Sequence, residues 1–66
     1  MNFSAIVRKY MKEQKLKVSD LAKSMGYSYQ YISDLLSGNR RWNETTMNKA
    51  CEVLGIRIVV ERDKSA

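Results

Sequence analysis

Apolar positions recur with a helical period over four separate stretches of this chain. Phe3, Ile6, Val7, Tyr10 and Met11, spaced i, i+3, i+4, i+7 and i+8, predict a helix from about Phe3 to Gln14 with that face inward. Asn2 stands where a capping acceptor is wanted, and Arg8, Lys9, Lys12 and Lys15 fall on the other sides as a mostly solvated face. After Lys15-Leu16-Lys17, with Leu16 turned inward, the stripe repeats at Val18, Leu21, Ala22 and Met25. Gly26 ends this second helix, because the residue just past a helix end often needs a left-handed backbone. Its start is less well marked: Lys17 occupies the capping position, so either the helix starts weakly or Ser19 caps it slightly later. Ser28 is a good N-cap for a third helix to Ser37, with Ile32 and Leu35 inward and Leu36 beside them. Asn43 caps a fourth from about Glu44 to Leu54, with Met47, Ala50, Cys51 and Leu54 inward and Glu44 near its positive end; Gly55 stops it. The period then changes. Ile56 to Glu61 reads IRIVVE, β-branched and partly alternating, which predicts a strand, and the polar Arg62 to Ala66 is expected to be a mobile tail. The expected architecture is mostly α: a compact four-helix domain over residues 1–55, a strand at 56–61 and a tail at 62–66.

A lone strand has no partner inside a helical chain. Its unpaired N–H and C=O groups invite the same strand of a second copy, in an antiparallel ribbon about a two-fold axis, which makes Ile56, Ile58 and Val60 candidate dimerisation residues. The alternative is a frayed tail. Size favours a partner, since a chain of 66 residues buries only roughly 60% of the surface its unfolded form exposes.

Composition narrows the function more by exclusion than by assertion. With no Pro, three Gly and 44% apolar residues the chain is neither disordered nor fibrous. The single Cys51 cannot form an internal disulfide and reads as a small buried hydrophobe. Without His or a second Cys, neither a metal site nor a cofactor is expected. The same lack, together with no nucleotide-binding loop and too little chain to enclose a pocket, argues against an enzyme, and no catalytic residue is assigned. No signal-peptide core and no apolar run of membrane-spanning length is visible, so a cytoplasmic location without membrane contact is expected. The net charge of +5, from 12 Lys and Arg against 7 Asp and Glu, favours an anionic partner, but gains force only from where the cations lie.

The chemistry concentrates on the third predicted helix and just past it. Its outward side would present Tyr29, Gln30, Ser33 and Asp34, where an ordinary solvated face would be richer in Lys and Glu. Flat aromatic, amide and hydroxyl groups can meet base edges and phosphates. Gln30 is the best base reader, because a primary amide can bond N6 and N7 of adenine together. Tyr29 suits a thymine methyl or a phosphate, and Ser33 a base or a phosphate. Asp34 is open to three roles: accepting from cytosine N4, excluding other bases by repulsion, or simply being solvated. Beyond the helix, Ser37-Gly38-Asn39-Arg40-Arg41 has the composition of a phosphate-contacting turn, so Asn39, Arg40 and Arg41, with Ser28 and Tyr31, are the candidate phosphate ligands. Trp42 is expected to plug the core from this loop, the alternative being to stack on a sugar–phosphate rim.

These residues also carry a resemblance. The run LAKSMGYSYQYISDLLSGNRR resembles the XRE or Cro-type phage repressor helix-turn-helix family. Its members typically show Leu-Ala in the first motif helix, a Gly turn, Ser or Thr before the second helix, Ile in its middle and Gly just after it. Those positions here are Leu21, Ala22, Gly26, Ser28, Ile32 and Gly38, and the likeness extends from about Phe3 to Ile56. Two departures stand out. Val18 replaces a Gln that in the family often touches DNA phosphate. Met11 and Leu36 replace an Arg–Glu pair, so that contact is expected to persist as apolar packing. The resemblance implies a repressor-like, sequence-specific regulator of transcription that binds double-stranded DNA as a homodimer on a two-fold operator. In that docking mode the second motif helix lies in the major groove and half-sites are about 34 Å apart. It also includes antitoxins that bind a toxin protein and repress their own promoter, some ending in a dimerising strand. The lack of a long extra segment for wrapping a toxin counts modestly against that alternative.

Overall fold

The computed structural model describes residues 2–57 of the chain. Four helices follow one another: α1 (Phe3–Glu13), α2 (Val18–Met25), α3 (Tyr29–Ser37) and α4 (Glu44–Leu54). Each brings an apolar stripe to a single core, with α1 and α2 each packing on both α3 and α4. Phe3, Val7 and Met11 come from α1, Leu21, Ala22 and Met25 from α2, Ile32, Leu35 and Leu36 from α3, and Ala50, Cys51 and Leu54 from α4. Burial of a side chain such as Leu21, Ile32 or Leu35, all fully enclosed, contributes about 1.5–3 kcal/mol. The stripes are narrower than expected: Ile6, Tyr10, Val18 and Met47 are only half-buried. Thr46 is enclosed instead. Its hydroxyl accepts from the Asn43 N–H at 2.9 Å while the Thr46 N–H donates to Asn43 Oδ1 at 2.8 Å, so a polar residue enters the core with its hydrogen bonds made. Cys51 is a core hydrophobe, and burial pushes its thiol pKa up, favouring the neutral form.

Three helices end in the same way. At α2 the Gly26 N–H donates to the Lys23 carbonyl and the Tyr27 N–H to that of Ala22, with Gly26 left-handed at φ 80°. This Schellman pattern satisfies carbonyls that lack an intrahelical donor. The same pair of bonds closes α1 through Lys15 and Leu16, and α4 ends with Ile56 N–H on the Cys51 carbonyl. At α1 the left-handed residue is Lys15, at φ 57°, where a Cβ costs about 1–2 kcal/mol. Helix α1 thus stops at Glu13, one residue short of expectation, and the Gln14 side chain instead donates to the Leu54 carbonyl at 2.7 Å, tying the end of α1 to the end of α4.

Two expectations about the chain's organisation are corrected or fall elsewhere. Ser19 does not cap α2, which already starts at Val18; the Lys17 N–H is held by Asp20 Oδ2 at 2.9 Å. No strand occurs among the described residues. Of the predicted strand, Ile56 is half-buried and packs against the core and Arg57 is exposed, while Ile58, Val60 and the rest of 58–61 lie outside the described residues, as does the tail at 62–66.

Candidate nucleic-acid interface

Helices α2 and α3 and the turn between them form a helix-turn-helix. The left-handed Gly26 turns the chain, and the Ser28 hydroxyl accepts the Tyr31 N–H at 3.1 Å, so only three residues separate α2 from α3. That hydroxyl keeps its own hydrogen available as a donor. Because Ile32, Leu35 and Leu36 are held in the core, the rest of α3 must face outward. Tyr29, 57% exposed, and Gln30, also exposed, occupy its first turn, with Ser33 and Asp34 half-buried one turn later. The Gln30 side-chain Nε2 donates to Asp34 Oδ1 at 2.9 Å, so these two candidates form one hydrogen-bonded unit.

Tyr31, by contrast, is built into a column. Its ring stacks on that of Tyr27 with centroids 4.7 Å apart and planes at 14°. The Arg40 guanidinium lies 4.7 Å from the centre of Tyr31, and the Lys49 Nζ lies 5.1 Å from the centre of Tyr27. Cation–π contacts of this kind are worth about 0.5–1 kcal/mol at exposed sites. They bias where the cations rest while leaving their N–H donors usable. Asn39, Arg40 and Arg41 are exposed in the loop after Gly38, where Arg40 and Arg41 rim a shallow groove with Asn2 and Trp42. Tyr27 and Lys49 were not singled out in the sequence. The signal available was only Tyr27 four residues before Tyr31, across a helix start that hides the relation.

The C-terminal end of α3 is held by side chains of α1, which packs against it. Ser4 Oγ donates to the Leu35 carbonyl at 2.9 Å and receives the Trp42 indole N–H at 2.9 Å. Arg8 Nη2 donates to the Leu36 carbonyl at 3.3 Å. Trp42, half-buried, meets Phe3 edge to face at 4.7 Å, which agrees with the expected core role. Met11 and Leu36, 6% and 5% exposed, both lie in the core cluster, and Arg8, from the preceding turn of α1, bonds the Leu36 carbonyl.

The arrangement is an outward polar helix, bonded to α1 behind it, with Arg40 and Lys49 flanking its first turn and the turn before it. The helix-turn-helix family model matches residues 7–60, and the chain belongs to that family, in its XRE or Cro-type form. It is accordingly a DNA-binding regulator of transcription. No curated protein and no solved structure matches the chain. No helix among the described residues is long and apolar enough to cross a membrane.

Proposed function

We propose that the protein is a sequence-specific repressor that binds double-stranded DNA as a homodimer on a two-fold operator. Helix α3 enters the major groove with Tyr29, Gln30, Ser33 and Asp34 toward the bases, and α2 crosses the backbone. Ser28, Tyr31, Asn39, Arg40 and Arg41 take phosphates, which fix register without reading sequence. What supports this reading above all is the exposed first turn of α3, polar and aromatic without a Lys or Arg, beside a loop that supplies two Arg. Bases are met by shape and hydrogen bonds, and phosphates by charge. In the same reading Ile56, Ile58 and Val60 pair two copies, as the β-branched run after Gly55 suggests.

Selecting bound sites from randomised duplex DNA tests the whole reading: a motif repeated about a two-fold axis, with centres about 34 Å apart, is expected. An unrepeated motif, or none, contradicts it. Arg41→Ala should weaken specific and random duplex alike and, by removing two phosphate contacts from a dimer, make the slope of log affinity against log salt shallower by about 1.8.

A further inference from the structure

We infer that Asp34 is a positioning residue that holds the Gln30 amide in the orientation that accepts adenine and rejects guanine. The inference rests on Gln30 being a base reader. Its basis is the 2.9 Å hydrogen bond from Gln30 Nε2 to Asp34 Oδ1 on the exposed side of α3. A Gln amide has two N–H donors and one carbonyl acceptor, and an ionised carboxylate only accepts. The carboxylate therefore attracts the –NH₂ end and repels the carbonyl oxygen, which selects one of the two amide orientations. With the hydrogen anti to the carbonyl given to Asp34, Gln30 presents an edge of one donor and one acceptor.

Among the four bases, adenine alone offers the complement in the major groove, an acceptor at N7 beside a donor at N6. Guanine offers two acceptors, N7 and O6, and would require both amide hydrogens, one of which is engaged. The nearby negative charge adds repulsion toward both of guanine's acceptors. Without Asp34 the amide is free to turn, so a Gln at this position alone would discriminate less sharply. The unit is built on a helix rather than a loop: Gln30 and Asp34 are four residues apart, the spacing at which such side chains meet. The helix itself is anchored at Leu35 and Leu36 from α1. Asp34 thus acts through Gln30, and its carboxylate makes no base contact of its own.

The test uses the full chain and the duplex selected by the wild-type protein, with all four base pairs placed in turn at every half-site position. Competition binding is measured for wild type, Gln30→Ala, Asp34→Ala and the double variant, each checked for folding by circular dichroism. Wild type should prefer adenine at one position of each half-site by about 5- to 150-fold. Asp34→Ala should lower the adenine-to-guanine ratio there at least threefold, leaving other positions unchanged. In the Gln30→Ala background, Asp34→Ala should change no base preference. A merely helix-supporting role for the pair would leave the ratio intact. If Gln30→Ala alters a position and Asp34→Ala leaves its ratio unchanged, the positioning role is overturned while base reading by Gln30 stands. If Asp34→Ala shifts preference in the Gln30→Ala background, Asp34 reads a base directly and the inference is wrong. If Gln30→Ala alters no position, base reading by Gln30 fails and takes the inference with it.

Discussion

The C-terminus of α3 and those of the other three helices solve the same chemical problem by different means. Every helix end leaves backbone carbonyls without intrahelical donors. In α1, α2 and α4 the next residues of the chain turn back and supply N–H groups within five positions. In α3, Gly38 is left-handed at φ 91° as at the other ends, yet the turn runs one residue longer, and the returning N–H is that of Arg40 on the Asp34 carbonyl. The Leu35 and Leu36 carbonyls go to Ser4 and Arg8, 31 and 28 residues away. Helices α1 and α2 are therefore closed locally, α4 locally with one long-range bond from Gln14 to its last carbonyl, whereas the helix that carries the candidate reading face takes two such bonds, from Ser4 and Arg8 of α1. A helix that must enter a groove at a defined angle benefits from such ties, because a local cap shapes only its end, whereas bonds to a distant helix fix its direction.

Removing the heaviest tie should break the contrast most. Trp42→Ala takes away the edge-to-face contact with Phe3 and the indole donor to Ser4; for a half-buried Trp a loss of about 2–3 kcal/mol is expected, somewhat below that of a fully enclosed one. On a domain of marginal stability this should shift the urea midpoint strongly. Ser4→Ala strips the hydroxyl that links Trp42 to the Leu35 carbonyl and leaves both without a partner, at about 1–2 kcal/mol. Combined with Trp42→Phe, it should show coupling above about 0.5 kcal/mol; simple additivity would mean that the link carries no energy of its own.

The locally closed ends should respond differently. At Gly55, φ 73° with open space around a new Cβ, Ala should cost about 1 kcal/mol through backbone strain alone. DNA preference of the folded protein should be unaffected, which competition binding would check. Arg8→Ala is expected to cost less, about 0.5–1 kcal/mol, since its side chain is exposed. Hydrogen exchange should then show faster opening at the end of α3 than at the end of α2; equal effects at both would dissolve the distinction. The smallest change has the opposite sign. Lys15→Gly relieves a left-handed Lys and should stabilise by about 0.5 kcal/mol, after allowing for the greater freedom of Gly in the unfolded chain.

Much of the fold could be read from residue spacing because its determinants are local. The four stripes, Ser28 and Asn43 as caps, Gly26 as a left-handed end and Gly55 as a stop each act within one or two turns of helix. At two places a local competitor decided what spacing left open or unmarked. Asp20 reached back to Lys17 where Ser19 had seemed the available cap, and Thr46 entered the core by completing the Asn43 box. The candidate site was legible as a set of side chains on one face of α3, since burying Ile32, Leu35 and Leu36 leaves Tyr29 and Gln30 outside.

What periodicity could not supply is how those side chains are coupled. The four helices and the polar outward face of α3 follow from the sequence by itself, because hydrophobic spacing and capping are properties of neighbouring residues. Only the tertiary structure decided that Ser4, Arg8 and Trp42 hold α3 in place, and that Arg40 and Lys49 rest on the two ends of a Tyr31–Tyr27 stack. Apart from the Tyr27–Tyr31 stack itself, these contacts join positions 9 to 38 residues apart, and nothing in their spacing marks them. They arise when burial of the four stripes fixes the relative positions of the helices, and a polar side chain then bonds whichever group that packing has brought within reach.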